Sequence, residues 1–301
     1  MLETIIETFG KLVSSGDTYL FLLPIYGGLL LSERIAHALF EKKRAWNRGD
    51  ATVNIFLTLV FLGLNMGIGH ILPLGLIAWI HENAHVFLLG DSTWGWAAAF
   101  MLYDLSWYVD HRIAHRTGFF WAMHHVHHSS PEYNMTVASR GFLLDTTLLT
   151  RPTFYLLPIL GMTPYHFMVV SIVSNIWGIA QHTRMVGRLG WIDWLFATPS
   201  NHRVHHGSNE KYIDRNYGEV WIFWDRLFGS YQAEEEEPDY GVTDPINTNN
   251  PVRIELAGIL WMIRKMGQAP SGLDALRCLI MPPEWLPQDA ATLSSVPSSD
   301  L

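Results

Sequence analysis

The stretch DHRIAHRTGFFWAMHHVHH, residues 110–128, decides how the rest of the chain must be organised, because it holds six of the chain's 15 histidines. His111 and His115 are four residues apart, so on a helix both imidazoles project from one face. An HxxHH motif follows them, and a second HxxHH motif occurs in NHRVHH at residues 201–206. The histidines of the three motifs are His111, His115, His124, His127, His128, His202, His205 and His206.

These motifs predict a metal centre. Neutral imidazole is a common ligand of iron, zinc, copper and nickel. Eight nitrogen donors are too many for one ion, so we expect two ions that keep open positions for a small molecule. Without metal, so many clustered imidazoles would carry a heavy cost of desolvation and charge. His125 breaks the spacing and is expected to face away, whereas His37, His70 and His166 occur singly and are expected to be structural.

The composition is typical of a membrane protein with a substantial polar part. Hydrophobic residues make up 49% of the chain and charged residues 16%, against roughly 25% charged in soluble domains. The net charge of −8 and the lack of a basic stripe exclude nucleic acid as a partner. Cys278 is the single cysteine, so no internal disulfide can form, and we expect an inert packed thiol.

We predict an all-α integral membrane protein with about four transmembrane helices and a cytosolic, histidine-rich helical cap. The predicted membrane segments are residues 18–40, 52–72 and 94–109 and a helical hairpin at 142–181. Residues 74–89 are expected to lie at an interface or to form a re-entrant segment, because His81, Glu82 and His85 would be costly at the bilayer centre. The basic loop EKKRAWNRGD at 41–50 predicts that this loop and the histidine motifs share the cytoplasmic side.

The chain is expected to comprise three regions. Residues 1–110 would form the N-terminal membrane helices, with an interfacial helix at 2–13, and residues 111–250 a histidine-rich catalytic region that includes the hairpin. Residues 251–301 would form an amphipathic helix, resting on the membrane or on the core, and a disordered tail. The predicted apolar face of that helix comprises Val252, Leu256, Ile259, Leu260 and Ile263.

Residues around the ligands are also predicted, because a ligating histidine usually donates its second N–H to a carboxylate or carbonyl. The candidate carboxylates are Asp110, Asp193, Asp214 and Asp225. We favour Asp110, which adjoins a ligand, and Asp225, in an aromatic run. Arg140 and Arg203 are expected to hold a lipid headgroup or to contact a ligand, with a surface position as the alternative. The aromatic residues expected to exclude water are Phe119, Phe120, Trp121, Trp191, Trp194 and Phe196.

Besides an enzyme that uses the two-ion histidine centre, two other functions remain open. The segment HENAH at residues 81–85 matches HExxH, in which His81 and His85 would bind zinc and Glu82 would be the general base of a membrane metalloprotease. This hypothesis leaves the eight other histidines without a role. A metal-storage or sensor protein is the third hypothesis, and it predicts no consumption of O₂ with any lipid.

The three motifs, in this order among apolar segments, resemble the fatty acid hydroxylase and sterol desaturase superfamily of integral-membrane non-haem di-iron oxygenases. The resemblance covers about residues 80–232. Within the superfamily, DSTW at residue 91, HHSSPEYNMTVASR from His127 and TPSNHRVHHGSNEKYIDRNYG followed by WDRLFG are most similar to the alkylglycerol monooxygenase branch. The resemblance implies that the eight motif histidines are metal ligands, and it adds His182 in GIAQHTR as a further ligand.

The resemblance also implies an activity. It implies a helical membrane scaffold that holds two irons, with zinc as the alternative in a purified sample, and an O₂-dependent attack on a lipid C–H bond. We favour hydroxylation of an ether lipid, a fatty acyl chain or a sterol, and desaturation on the same site is the alternative. The implied partners are a lipid from the bilayer and an electron donor, either a pterin or a redox protein. Tetrahydrobiopterin is implied by the resemblance alone.

Overall fold

The computed structural model describes residues 18–40, 47–64, 75–147 and 149–287. Regular structure within these ranges is helical, which confirms the all-α prediction, and isolated antiparallel bridges join Phe196 to Trp221 and Gly207 to Tyr240. The predicted interfacial helix at 2–13, His70 and almost all of the predicted tail lie outside the described residues.

The helices are named here in chain order. The N-terminal part contains α1 (Thr18–Phe40), α2 (Arg48–Leu64), α3 (Gly75–Ala84), α4 (Thr93–Arg116) and α5 (Gly118–His128). Three 3₁₀ helices follow at Val137–Ser139, Leu143–Thr147 and Pro152–Leu156. The C-terminal part contains α6 (Pro164–Gln181), α7 (Ile192–Leu195), α8 (Pro199–His205), α9 (Phe223–Leu227), α10 (Pro251–Gly267) and α11 (Gly272–Ile280).

Helix α4 carries the first histidine pair, as predicted. The hydroxyl of Ser92 accepts from Gly95 N at 3.2 Å and caps the N-terminus of the helix. The helix then continues past the predicted segment 94–109 through His111 and His115, which are both buried. Thr117 has an extended backbone that ends α4 and starts α5 one residue later. This corner turns the second motif back towards the first.

The predicted hairpin at 142–181 has one long α-helical limb, α6. The segment before it forms short 3₁₀ turns, because Pro152 and Pro158 cannot donate to a continuous helical ladder. Thr163 caps α6 by accepting from His166 N at 3.1 Å, and Pro164 occupies the first turn. The helix ends at Gln181 and so delivers His182 to the other histidines.

Helix α1 has the bounds of the predicted segment 18–40, whereas the predicted segments 52–72 and 74–89 differ from the structure in theirs. Helix α2 begins at Arg48, four residues before the predicted segment 52–72, because the side chain of Asn47 accepts from the backbone N of Gly49 and Asp50. Helix α3 occupies only part of the predicted interfacial segment 74–89. Across the described ranges, no helix has both the length and the apolar character that a bilayer crossing needs.

Helix α10 lies where the amphipathic helix was predicted, and of the two surfaces on which its apolar face was expected to rest, the core is not the one that covers it. The sequence pattern favoured Val252, Leu256 and Ile263, and all three are exposed. The buried face contains Ile254, Ala257, Gly258 and Met262 and packs against α5, because the missing side chain of Gly258 lets the backbone of α10 approach the carbonyl of Ala122 closely. The face with the small residue is buried, and the more apolar face points outwards.

Candidate metal centre

The nine predicted ligands come together as two groups, each with nitrogens within 4.8 Å of one another. The five-histidine group comprises His111, His115, His124, His128 and His205. The four-histidine group comprises His127, His182, His202 and His206. The two groups are adjacent, since the rings of His128 and His206 stack with centroids 4.4 Å apart. Two adjacent groups match the expectation of two ions.

Each HxxHH motif divides between the groups. On α5, His124 and His128 are one turn apart and point to the five-histidine group, whereas His127 is rotated about 100° from His128 and points to the other. In the second motif, His205 joins the five-histidine group, and His202 and His206 join the four-histidine group. Each motif therefore bridges the two groups.

Backbone carbonyls fix the ring orientation of four ligands. Nδ1 of each ring donates to one carbonyl, at 2.7–3.0 Å. The pairs are His111 with Tyr217, His127 with Arg140, His182 with Gly178 and His205 with Arg215. Because a carbonyl oxygen can only accept, Nδ1 carries the proton and Nε2 of the neutral ring presents a lone pair.

Two of these lone pairs, on His127 and His182, face each other without a proton between them. Nε2 of His182 lies 3.4 Å from Nε2 of His127, although both rings donate through Nδ1 to carbonyls. In the five-histidine group, Nε2 of His111 lies 3.1 Å from Nε2 of His124. A metal at roughly 2.1 Å from each ligand, with bond angles of about 90–109°, separates neighbouring nitrogens by roughly 3.0–3.4 Å. The arrangement therefore fits bound cations.

The remaining nitrogens support the same conclusion. Nε2 of His115, His205 and His206 is buried and has no hydrogen-bond partner. Burial lowers the pKa of His127 to about 4 and that of His182 to about 3, because the charged ring is poorly solvated there. Neutral rings with uncommitted lone pairs are what a metal ligand requires.

One carboxylate contacts a ligand directly, and it is Asp214 rather than the two favoured by the sequence. Its carboxylate lies 3.5 Å from Nδ1 of His115 and also pairs with Arg116. Asp214 has a positive φ of 60°. Nothing in the sequence pattern placed this loop residue beside α4, although Asp214 was among the four candidates.

Asp110 and Asp225 bind backbone and hydroxyl groups instead of histidines. Asp110 accepts from the backbone N and the hydroxyl of Thr153, at 3.1 and 2.7 Å. Asp225 accepts from Tyr217 N and Gly218 N, both at 2.8 Å. Asp225 therefore contacts His111 only indirectly, because it binds the Tyr217–Gly218 peptide whose carbonyl accepts from His111.

The two arginines are also committed internally. Arg140 is 1% exposed and pairs with Asp50 at 2.7 Å, while its backbone carbonyl accepts from His127. Arg203 forms a two-pronged ion pair with Glu234, at 2.6 and 2.7 Å. Both guanidinium groups are occupied by acids and carbonyls of the chain, and Arg140 contacts the predicted ligand His127 through its backbone carbonyl rather than its side chain.

The aromatic surroundings are only partly as predicted. Trp121 packs against His115, with ring centroids 5.2 Å apart, and shields the five-histidine group. Trp191 and Trp194 are 75% and 61% exposed and do not exclude water. The sequence analysis missed Trp107, which meets His111 edge-on at 6.5 Å and lies on the same face of α4 one turn earlier.

The histidines predicted to be structural lie outside both groups where they are described. His125 faces Trp121, His166 packs on Trp96, and His37 is buried in α1. The HExxH residues are also outside both groups. His85 follows the end of α3, and its Nδ1 bonds to the carbonyl of His81 at 2.6 Å. Among the described residues, no third ligand joins this pair.

Comparison with known proteins supports the assignment made from the motifs. Residues 96–230 match the fatty acid hydroxylase family. The chain is 35% identical over 210 residues to the human alkylglycerol monooxygenase, covering 69% of this chain and 47% of that protein. It is 27% identical to an ornithine lipid hydroxylase of Rhizobium tropici, covering 69% of this chain and 68% of that protein.

A third relative is a Delta(7)-sterol 5(6)-desaturase of Gibberella zeae, 24% identical over 48% of this chain and 46% of that protein. The chain spans about half the length of the alkylglycerol monooxygenases that it matches. No solved structure gives a significant match. The match of residues 96–230, which hold all nine clustered histidines, shows a fatty acid hydroxylase domain in this chain.

Proposed function

We propose that this chain is a membrane-bound di-iron monooxygenase that hydroxylates a C–H bond of a lipid alkyl or acyl chain with O₂. The observation that carries the proposal is the pair of facing lone pairs on His127 and His182, whose Nδ1 atoms both donate to backbone carbonyls. A cation bound between the two rings stabilises such a pair. All ligands in the two groups are neutral imidazoles, which suit iron.

Bound iron would supply the activation of O₂ that an unreactive C–H bond requires. In the overall reaction, one oxygen atom enters the C–H bond and the other leaves as water, with two electrons and two protons consumed. The protein's own contribution is orientation. The carbonyls of Tyr217, Arg140, Gly178 and Arg215 hold the imidazoles in place before any substrate arrives.

An apolar aromatic core lies beside the five-histidine group. Trp107 contacts His111 and Phe154, and Phe154 contacts Tyr103 in the apolar core between α4 and α6. Arg151 lies over the ring of Trp107 at 3.5 Å. These residues place apolar surface next to the metal centre, which favours an alkyl chain over a soluble polar substrate.

Exposed apolar side chains support a location in or on the membrane. Large apolar residues are exposed along α1 and α2 and in the loop after α3, where Val86, Phe87 and Leu88 are all more than 60% exposed. Soluble monomers rarely expose contiguous apolar patches of this kind. We place the histidine groups on the cytoplasmic side, following the basic loop at 41–50.

Desaturation remains the second candidate, because one relative is named as a sterol desaturase and the ligand set does not separate the two outcomes. The HExxH hypothesis has no such support. Glu82 and His85 are exposed, and the described part of the chain offers no completed zinc site around them.

The proposal is tested by oxygen uptake and product analysis on the purified, iron-loaded chain. Ether lipids, acyl lipids and sterols are supplied separately, with isotopically labelled O₂ and an excess of chemical reductant. We expect one lipid class to gain a labelled hydroxyl group, and the His115→Ala variant to give none. A double bond without labelled oxygen would favour the desaturase. Activity that survives His115→Ala but is lost in Glu82→Gln would overturn the proposal.

A further inference from the structure

Glu219 is a buried carboxylate close to both histidine groups, and it is 5% exposed. Its side chain lies against Gly178 on α6, where a Cβ atom would collide with Oε1, and the carbonyl of Gly178 accepts from His182. Two residues before Glu219, the carbonyl of Tyr217 accepts from His111. Glu219 therefore lies next to the backbone that orients one ligand in each group.

The backbone of Glu219 is held on both sides, but its carboxylate is not. The carbonyl of Glu219 accepts from Nε2 of Gln181 at 2.7 Å, and the next backbone N, that of Val220, donates to Asp104 at 2.9 Å. Within the described ranges, no group donates a hydrogen bond to the carboxylate of Glu219. By contrast, Asp225 in the same segment accepts from two backbone N–H groups. The oxygens of Glu219 are thus free to exchange a proton.

Polar groups on the helices around Glu219 also lack hydrogen-bond partners among the described residues. Oγ of Ser174 is one of them, and this residue lies one turn before Gly178 on the same face of α6. Nε1 of Trp107 is another, and the guanidinium of Arg151 lies 3.5 Å from the centroid of that ring. The charge of Arg151 acts both on Glu219 and on the ligand His127. Buried polar groups without partners are costly, so their concentration here indicates a role in the chemistry of the site.

The surroundings of Glu219 also determine whether it carries a proton. Burial raises its pKa to about 8, while the positive charge of Arg151 lowers the pKa and the negative charge of Asp104 raises it. The residues that face Glu219 from α6, Gly178 and Ser174, have no charge. At neutral pH most of the carboxyl group is therefore protonated, and a pKa near the working pH is what a proton donor requires.

We propose that Glu219 is the residue that supplies a proton to the oxygen atom that leaves as water during hydroxylation. Its place beside both histidine groups and its unoccupied carboxylate oxygens carry the proposal. The proposal rests on the proposed function, because it names the source of one of the two protons that the reaction consumes.

The balance of the step is complete. Each turnover converts O₂, a lipid C–H bond, two electrons from the reductant and two protons into a hydroxylated lipid and water. Glu219 gives one of these protons, so its O–H bond breaks, an O–H bond of the leaving water forms, and the electron pair of the broken bond stays on the carboxylate. Solvent supplies the other proton and then protonates Glu219 again.

The chain offers a matched control for Glu219→Gln, a variant that keeps the size of the side chain and removes the acid. Glu255 on α10 is a second buried carboxyl group, its pKa is raised to about 7 by burial, and one of its oxygens has no partner. Its other oxygen accepts from Leu143 N at 3.0 Å, and α10 carries no predicted ligand. We compare Glu219→Gln, Glu219→Asp and Glu255→Gln, with metal content and melting temperature measured on each so that misfolding is recognised.

The first readout does not depend on activity. Infrared difference spectra of the iron-loaded chain, recorded without O₂ at a series of pH values, detect the carbonyl stretching band of a protonated carboxyl group. We expect the wild type to lose such a band as the pH rises through about 8. Glu219→Gln should lack this band and Glu255→Gln should keep it. If Glu219→Gln shows the same bands as the wild type at every pH, Glu219 is not protonated at neutral pH and the proposal fails.

The second readout is the dependence of lipid hydroxylation on pH, with O₂ and an excess of chemical reductant. The wild-type rate should fall as the pH rises through about 8, because Glu219 then loses its proton. Glu219→Gln should be about 100-fold slower, with unchanged KM for the lipid and without this fall. Glu219→Asp should recover part of the rate together with the fall, and Glu255→Gln should behave like the wild type.

The outcomes separate this proposal from the proposed function. If the wild type hydroxylates lipid and Glu219→Gln has the same rate and the same pH dependence, the proton role is wrong and the hydroxylase stands. A slow Glu219→Gln variant that keeps the fall near pH 8 would also overturn the proton role, because a different group would then titrate. If the wild type hydroxylates no lipid, the hydroxylase proposal fails and the proton role fails with it.

Discussion

The carboxylate of Asp214 lies 3.5 Å from Nδ1 of His115, in the five-histidine group. The hydroxylase family match includes both residues. A carboxylate in this position keeps Nδ1 protonated and Nε2 available, and it makes the ring a stronger donor to a cation. Four other rings, those of His111, His127, His182 and His205, donate to backbone carbonyls, which no side-chain substitution removes. Asp214 therefore offers a direct test of ligand orientation.

Asp214→Asn should weaken metal binding without unfolding the chain. Asparagine tolerates the positive φ of this position, so the backbone should persist. Loss of the negative charge should lower metal affinity about 10- to 100-fold, and only one of the two ions should be affected. Competition with a fluorescent chelator measures the affinity. Asp239→Asn, at an exposed aspartate, is the control. Equal affinities in Asp214→Asn and wild type would show that the contact has no role in binding.

Arg140→Met should destabilise the fold. Arg140 and Asp50 are both buried, and Arg140 also donates to the carbonyl of Val126, near the end of α5. Removal of one partner leaves a buried charge, and we expect a loss of about 3–5 kcal/mol in the free energy of unfolding. Chemical denaturation in detergent measures it, with Arg253→Met at an exposed site as control. The double variant Arg140→Met/Asp50→Asn should recover part of the lost free energy of unfolding, because it leaves no unpaired charge at the site. A loss equal to the sum of the two single-variant losses would contradict this account.

The metal-free chain should lose stability as pH falls below about 6.5. Burial lowers the pKa of His125 and His127 to about 4 and of His182 to about 3, below the value of an unfolded histidine. At pH values between these lowered pKa values and about 6.5, the unfolded chain binds more protons than the folded chain, so acid favours unfolding. Burial raises the pKa of Glu219 to about 8 and of Asp225 to about 6, which acts in the opposite direction. The histidines are more numerous, so the melting temperature in chelator should fall between pH 7 and pH 5, and a rise would contradict the burial of neutral rings.

Helix α11 should contribute to membrane binding. Leu273, Leu276 and Ile280 are each at least 59% exposed, and Arg277 is on the same short helix. Burial of one such side chain in lipid contributes roughly 1.5–3 kcal/mol, so Leu276→Asp with Ile280→Asp should weaken vesicle binding more than tenfold. Co-sedimentation with vesicles that contain anionic lipid measures this, with Gln268→Asp as control. Unchanged co-sedimentation of the double variant would show that α11 does not contact the membrane.

The sequence predicted which histidines come together because helical periodicity is local. Histidines at spacings of three and four must lie on one side of a helix, and α4 and α5 carry them in that way. The division of each HxxHH motif between two groups was not predictable. It depends on how α5 and α8 are rotated about their axes, and packing against distant residues such as Gly258 sets that rotation.

The residues around the ligands were predicted less well, for a physical reason. Spacing along the chain favoured Asp110 because it adjoins His111, but adjacent residues on a helix point about 100° apart. Asp110 therefore reaches Thr153. Most partners of the histidines are backbone carbonyls, which every residue has, so residue type carries no signal for them. In α10, close packing at Gly258 determines which face lies on the core, and the hydrophobic pattern of the sequence does not reveal it.

The measurement that tests the central claim most directly is metal content by elemental analysis, after purification in detergent with iron supplied. The account predicts about two irons per chain in the wild type. It predicts about one iron in His127→Ala, which alters the four-histidine group, and about one in His115→Ala, which alters the five-histidine group. A single zinc that survives both substitutions and is lost in His81→Ala would contradict the account and favour the HExxH site.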